Sequence, residues 1–329
     1  MGTVGGAPCA GFARPRVIGA ETGVDFPKEV PAGLDNFGGL AMLFSREKSG
    51  ENMMKRILTR TASSAVALGL SAGLALAGGH CAAGKTLTEG TLTVATGNPA
   101  YYPWVMDDAP ESKAGFEAAV AYAVANRMGF DDAQVTWVRS SFDQAIQPGA
   151  KDFDFNLQQF SITDEREEIV DFSLPYYSAA MAVITRQPVV DGGAEATMAS
   201  LKGLLWGAHA STTAVPMLAE VVQPDADPLL YGDNADVVEA MKANQIDAAL
   251  MDLPTALFTA AVLMDDGVVL GQFPPERSEN PDQFGLLMEE GNPLKECVDA
   301  ALAELTEDGT LAAIEAEWLA EATGVPVIE

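Results

Sequence analysis

The chain has 329 residues, 48% of them hydrophobic, 20% charged and 7% aromatic, a globular composition with length for more than one folded body. Its formal net charge of −28 repels nucleic acid and anionic lipid, which argues against both as partners. Two histidines and three cysteines leave little material for a metal site or a disulfide framework, and no cofactor is expected.

Residues 1–52 are rich in Gly and Pro and lack sustained periodicity. They read as an extension ahead of an internal start at Met53 or Met54. Residues 53–77 read as a cleaved secretory signal. Lys55, Arg56 and Arg60 give a positive region, Ala62 to Leu76 a small-residue and apolar run, and Ala75-Leu76-Ala77 an A-x-A cleavage site. The run is too short and too rich in Ala, Gly and Ser for a membrane span. Cys81 follows Gly78-Gly79-His80, and His80 breaks the pattern usual before a lipid-bearing cysteine. Cys81 is expected in a loose N-terminal tail, with no pairing to Cys297 assumed.

From Gly90 strand and helix patterns alternate. Strand patterns cover 91–96, 134–138, 154–157 and 181–186; helical spacing covers 113–128, with a short helix starting at 142. A Pro- and Gly-containing stretch, 188–194, marks a domain boundary. Beyond it, strands are predicted over 204–208, 247–251, 268–270 and 284–288. Helices are predicted over 214–222, 235–243, 254–263, 293–305 and 310–319, with a Pro-rich loop over 273–281. This order argues for α/β layers with largely parallel sheets.

Between the third and fourth strands lies Leu157 to Tyr177, LQQFSITDEREEIVDFSLPYY. Thr163 and Asp164 are good N-cap types, and Glu167 and Glu168 suit a first turn. Arg166 falls inside that turn, five residues after Ser161. A hydroxyl, free N–H groups and a planar guanidinium within six residues make a compact carboxylate receptor. The spacing alone also fits a capped surface turn with a solvated arginine.

The wording of the stretch resembles the S-x-T-x-x-R-x-x-x-V-x-F-S-x-P-Y pattern of the periplasmic substrate-binding proteins of polar amino-acid ABC importers, bacterial extracellular solute-binding protein family 3. LKGLLWGAHASTT, GDNADVVEAMKANQIDAALMD and the closing stretch ending on Trp318 resemble further parts of that family, with Ser211 where it usually has Gly. The resemblance runs from about Gly90 to Trp318. It implies a two-lobed type II binding protein whose lobes, 90–186 with 284–329 and 187–283, are joined by two crossover strands acting as a hinge. It implies an amino-acid ligand, an ABC permease as partner, a periplasmic location and a monomer.

Matching positions give the ligand set that the resemblance implies. Arg166, Ser161 and Thr213 take the α-carboxylate; Asp252 and the Gln159 carbonyl take the α-ammonium. Tyr101 and Phe142 flank the side chain, and Asn98 and His209 face it. Asn98 is neutral where family members for basic amino acids often carry an acid, so a neutral polar or acidic L-amino acid is expected. The same fold hosts cyclohexadienyl dehydratases, but among the matched positions only His209 and Asp252 could carry a proton. A receptor-coupled sensory protein is the other alternative, and it would be expected to run on into a signalling segment after Glu329. The processed protein should begin at or near Gly78; intact mass of secreted material checks this. A species retaining residues 1–77, or a lipid on Cys81, would overturn it.

Overall fold

The computed structural model describes residues 81–274, 282–319 and 324–328. The expected extension over 1–52, the signal over 53–77 and most of the 273–281 loop lie outside the described residues. In chain order the described residues form β1 (Leu92–Thr96), α1 (Phe116–Arg127), β2 (Val135–Arg139), α2 (Phe142–Ala145), β3 (Phe155–Asn156), α3 (Asp164–Glu167), β4 (Val170–Ala179) and β5 (Met181–Arg186). Next come α4 (Gln187–Asp191), α5 (Met198–Leu201), β6 (Trp206–His209), α6 (Ala214–Met217), β7 (Leu229–Tyr231), α7 (Asn234–Lys242), β8 (Ala248–Asp252) and α8 (Leu253–Phe258). Then follow β9 (Gly267–Phe273), β10 (Asp282–Glu289), α9 (Lys295–Glu307) and α10 (Thr310–Trp318).

The strands make two five-stranded sheets among the described residues, β2-β1-β3-β10-β4 and β7-β6-β8-β5-β9. In the first, β1 runs parallel to β2 and β3, and β10 runs antiparallel to β3 and β4. In the second, β6 is parallel to β7 and β8, and β5 is antiparallel to β8 and β9. Helices α1, α9 and α10 cover one face of the first sheet, where Phe116, Val120 and Val124 meet Val298, Leu302 and Leu305 over Val94 and Leu286. Every residue of β5 is buried. One side packs Ala182 and Ile184 toward Val237 and Met241 of α7, and the other packs Val183 with Leu250 and Trp206. That two-sided burial is why MAVITR reads as an unbroken run and not an alternation.

Sheet membership moves the expected boundary. The 90–186 range placed Met181–Arg186 in the first lobe, but β5 registers with β8 from Met181↔Asp252 to Thr185↔Ala248 and with β9 along its whole length. The chain passes between sheets at Ala180. The tail also departs from its expected lobe: Val327 bridges Gln272, and Ile328 is buried in the second body's core. Gly271 permits this, since a Cβ there would lie 2.7 Å from Ile328 Cγ1. The predicted 188–194 loop begins as α4, with Pro188 in its first turn. The helices predicted over 214–222 and 254–263 do form, but each widens in its second half. Gln223 N–H bonds Leu218 O and Met264 N–H bonds Thr259 O, five residues back.

The N-terminal segment is not loose. Cys81 forms a disulfide with Cys297 of α9. Asp154 accepts from Leu87 N at 2.8 Å and Thr93 N at 2.7 Å, pinning the segment between them. With its sulfur in the bridge, Cys81 has no thiol left for a lipid thioether. The bridge joins residues 216 apart in sequence. Cys81→Ser should cost about 2–4 kcal/mol of stability by restoring chain entropy to the unfolded state. Denaturant unfolding checks this, and an unchanged midpoint would mean that the Asp154 bonds alone hold the segment.

Candidate functional site

Strands β1, β3, β6 and β8 are the inner parallel strands of the two sheets, and each ends at the same cleft. The residues that leave those ends build one cavity. It is lined by all nine residues expected from the sequence: Asn98, Tyr101, Phe142, Gln159, Ser161, Arg166, His209, Thr213 and Asp252. A site beyond the carboxyl ends of parallel strands is the general location in open α/β sheets.

Arg166 is held by a capped turn. Thr163 Oγ1 accepts Arg166 N–H at 3.3 Å at the start of α3. Arg166 is 9% exposed. It donates from Nη1 to Ser161 O at 2.7 Å, and from Nη2 across the cleft to Ser211 O at 2.8 Å. Its face lies 5.4 Å from the Phe142 ring centroid. The hydroxyls of Ser161 and Thr213 meet across the same gap at 3.4 Å, and Thr213 Oγ1 donates to Asp282 Oδ2 at 3.3 Å. Burial raises the Asp282 pKa, opposed by hydrogen bonding from Ser161, the Arg166 charge and Thr213. Burial lowers the Arg166 pKa, and Asp282 and Glu165 oppose that shift.

Asp252 ends β8 and caps α8, accepting Thr255 N–H at 2.8 Å. It therefore fills the structural N-cap role and lines the cavity as well. Burial pushes its carboxyl up to about 6, against the Thr255 bonds that favour the charge. Gln159 lines the same cavity, and its φ of 53° lies in the left-handed region. Gln159 gives its backbone N–H to Glu117 Oε1 at 2.8 Å and its amide Nε2 to Glu117 Oε2 at 2.6 Å.

The remaining wall is polar and aromatic. Tyr101 OH donates to Asp233 at 2.6 Å across the cleft; burial, then the Asp233 charge, raises the phenol's pKa and keeps it a donor. Phe142 stacks on Phe160 at 4.7 Å and meets His209 edge-on at 5.5 Å, so it is braced as well as cavity-lining. His209 is 5% exposed. Its Nε2 is 3.4 Å from Asp143 Oδ1 but lacks hydrogen-bond geometry. Gln158 donates to Asn156 Oδ1 at 3.1 Å and lines the cavity.

Glu117, Asp233 and Asp282 also line the cavity and were not found by sequence reasoning. An acid inside the apolar run of α1 was the available signal for Glu117. Asp233 reads only as the cap of α7, which it is, and Asp282 borders a stretch read as loop. Asp233 adds a carboxylate to the wall beside Tyr101, at a position the family resemblance did not match. It reaches the cavity because its capping position places Oδ1, which accepts Ala235 N–H at 2.7 Å, within reach of the Tyr101 hydroxyl as well.

The family model for bacterial extracellular solute-binding proteins, family 3, matches residues 92–321. The L-cystine-binding protein TcyJ of Escherichia coli (strain K12) is 27% identical over 239 residues, covering 71% of this chain and 84% of that protein. The lysine/arginine/ornithine-binding periplasmic protein of the same organism is 30% identical over 257 residues, covering 75% of this chain and 93% of its own. Among solved structures, an ancestral arginine-binding protein bound to arginine superposes with a TM-score of 0.58 at 24% identity, covering 70% of this chain and 99% of that one. The fold is the two-lobed α/β type II binding-protein fold, and the chain belongs to the bacterial extracellular solute-binding proteins, family 3.

Proposed function

We propose that this protein captures a free L-α-amino acid in the periplasm and delivers it, as a monomer, to the permease of an ABC importer. The observation that carries this reading is that the Arg166 cation and the Asp252 carboxylate line the same cavity, each lacking a salt bridge among the described residues. Arg166, with the Ser161 and Thr213 hydroxyls, offers donors to a carboxylate; Asp252 offers an acceptor to an ammonium. A zwitterionic head group satisfies both, and a charge of either sign alone would leave the other buried at a cost. Because Ser161 and Arg166 belong to the first body and Thr213 and Asp252 to the second, the head group binds both bodies and stabilises the closed cleft. The cystine named for one relative and the lysine, arginine and ornithine named for another support an amino acid as the class.

The wall argues against an acidic side chain. Glu117, Asp233, Asp252 and Asp282 line it, against the single guanidinium of Arg166. Asn98, Gln158 and His209 suit a neutral polar side chain, which is the reading preferred here. Asp233 favours a second one, a side chain with a cation at its tip. A dehydratase is disfavoured by the chemistry of its candidate acids. Glu117 already accepts from three donors, Asp252 accepts from Thr255, and the His209 Nε2 lies buried.

A thermal-shift panel of the twenty amino acids tests the class. At about 100 times its dissociation constant a ligand adds ~2.7 kcal/mol. For this size of protein that is a shift of roughly 5–10 °C. The largest shift should come from a neutral polar L-amino acid. The largest shift from arginine or lysine would select the second reading, and no shift from any would remove the amino-acid reading. With the best ligand, Arg166→Ala should weaken binding by about 2–5 kcal/mol, because the ligand carboxylate loses its paired cation. Arg166→Lys should recover only part, since an ammonium lacks the bidentate fork. Calorimetry on both variants reads this, and unchanged affinity in the alanine variant would return Arg166 to a structural role.

A further inference from the structure

Glu117 is the second residue of α1, in the run Phe116-Glu117-Ala118-Ala119-Val120, and is 1% exposed. The turn that puts it there depends on Gly115, whose φ is 104° and where a Cβ would stand 2.6 Å from Trp104 O. Three donors converge on the Glu117 carboxylate: the backbone N–H of Gln159, the side-chain amide of Gln159, and the Tyr176 hydroxyl on β4. A non-glycine residue rarely adopts the left-handed conformation found at Gln159. Here both the backbone and the side chain of that residue end on one carboxylate, so the peptide plane and the rotamer are fixed together. The same carboxylate lines the ligand cavity with Asp252.

We propose that Glu117 is the positioning residue of the ammonium subsite: it holds Gln159 in its left-handed conformation beside the ligand, and its charge joins that of Asp252 in drawing the α-ammonium. The proposal rests on the amino-acid reading above. The ionised form is the one that serves, because all three neighbouring groups donate to it. The titratable groups facing Glu117 are Tyr176 on β4 and Asp252 at the end of β8; behind Asp252 lies Asp282 on β10, in the field of Arg166 on α3.

Burial pushes the Glu117 carboxyl from 4.5 to about 7, opposed by the Tyr176 and Gln159 bonds and assisted by Asp252. An ammonium bound beside it lowers that pKa again. Ligand binding below about pH 7 therefore releases a proton, and affinity rises with pH through that region. Folding stability moves the other way. A carboxyl whose pKa is raised on folding binds its proton more tightly in the native state, so its contribution falls as pH rises from 4.5 through about 7. Opposite slopes for affinity and stability are a signature that a purely structural residue would not give.

The test is calorimetric titration of the best amino acid from the panel, from pH 5.5 to 8.5 in buffers of different ionisation enthalpy, with melting of each protein alone as the control. The wild type should bind about tenfold more tightly at pH 8 than at pH 6, the effect of roughly one unit of pKa shift on binding, with proton release near neutrality. Glu117→Gln should fold, bind more weakly at pH 8, and lose the step near pH 7, leaving only the lower one from Asp252. Glu117→Asp should keep the pH step at reduced affinity. A Glu117→Gln protein with wild-type affinity and an unchanged pH profile would overturn the proposal and leave the amino-acid reading intact. A wild type that binds no amino acid would overturn both.

Discussion

The Arg166 guanidinium donates to Ser161 O on its own side of the cleft and to Ser211 O on the other, so one buried cation spans both bodies. Most of the site is arranged to make that position tolerable. A guanidinium withdrawn from water needs its donors filled, and two backbone carbonyls and an aromatic face supply partners without neutralising the charge. On the proposed reading, the uncompensated positive charge is what makes the region a receptor for an anion. Replacing the carbonyls by a carboxylate in direct contact would satisfy Arg166 internally and leave the cavity without its attraction for a ligand. Asp282 approaches this limit, but through the hydroxyls of Ser161 and Thr213 and not through a salt bridge.

The same logic explains how a cavity with four carboxylates remains folded. Each is supported by donors belonging to the scaffold. Asp252 and Asp233 cap α8 and α7, Glu117 collects three donors, and Asp282 takes a hydroxyl. Caps do two jobs here: one edge of the carboxylate satisfies a helix N-terminus, and the residue also lines the cavity. The protein's overall charge of −28 contributes little at this range, since exposed charges are screened beyond about 8–10 Å in physiological salt. Local geometry sets the field that a ligand meets.

What was legible in the sequence is what is local. Ser161, Thr163 and Arg166 lie within one capped turn, and Asp252 caps the helix that follows its strand, so spacing and residue type place them before any tertiary contact forms. The alternation of strand and helix survives for the same reason. β4 was hidden because Pro175 cannot donate to a ladder; the strand accepts it opposite Gly285, where the pairing with β10 shifts register. The lobe boundary was misplaced because β4 and β5 run on with only Ala180 between them, and nothing in either segment says which sheet it will join. The Cys81–Cys297 bridge, Glu117 and Asp233 all depend on residues brought together from far apart in the chain. Composition and periodicity carry no record of such meetings.

The crossing at Ala180 ties these parts together. Ala180 O accepts the N–H of Leu253, the residue after Asp252, so the start of α8 is bonded to the point where the chain changes sheets. Four residues before that crossing, Tyr176 donates to Glu117. The other passage, from β9 to β10, resumes at Asp282, which faces Thr213. Asp282 thus lies on one connecting strand, while Glu117 and Asp252 are bonded to the other connection, Glu117 through Tyr176 and Asp252 through its neighbour Leu253. A rotation about Ala180 moves Asp252 relative to Glu117 and Gln159. It also moves Thr213 relative to Ser161 and Arg166. On the proposed reading, a ligand that needs both pairs at hydrogen-bonding distance acts close to the crossing itself. No extended relay through the cores is required for closure to follow binding.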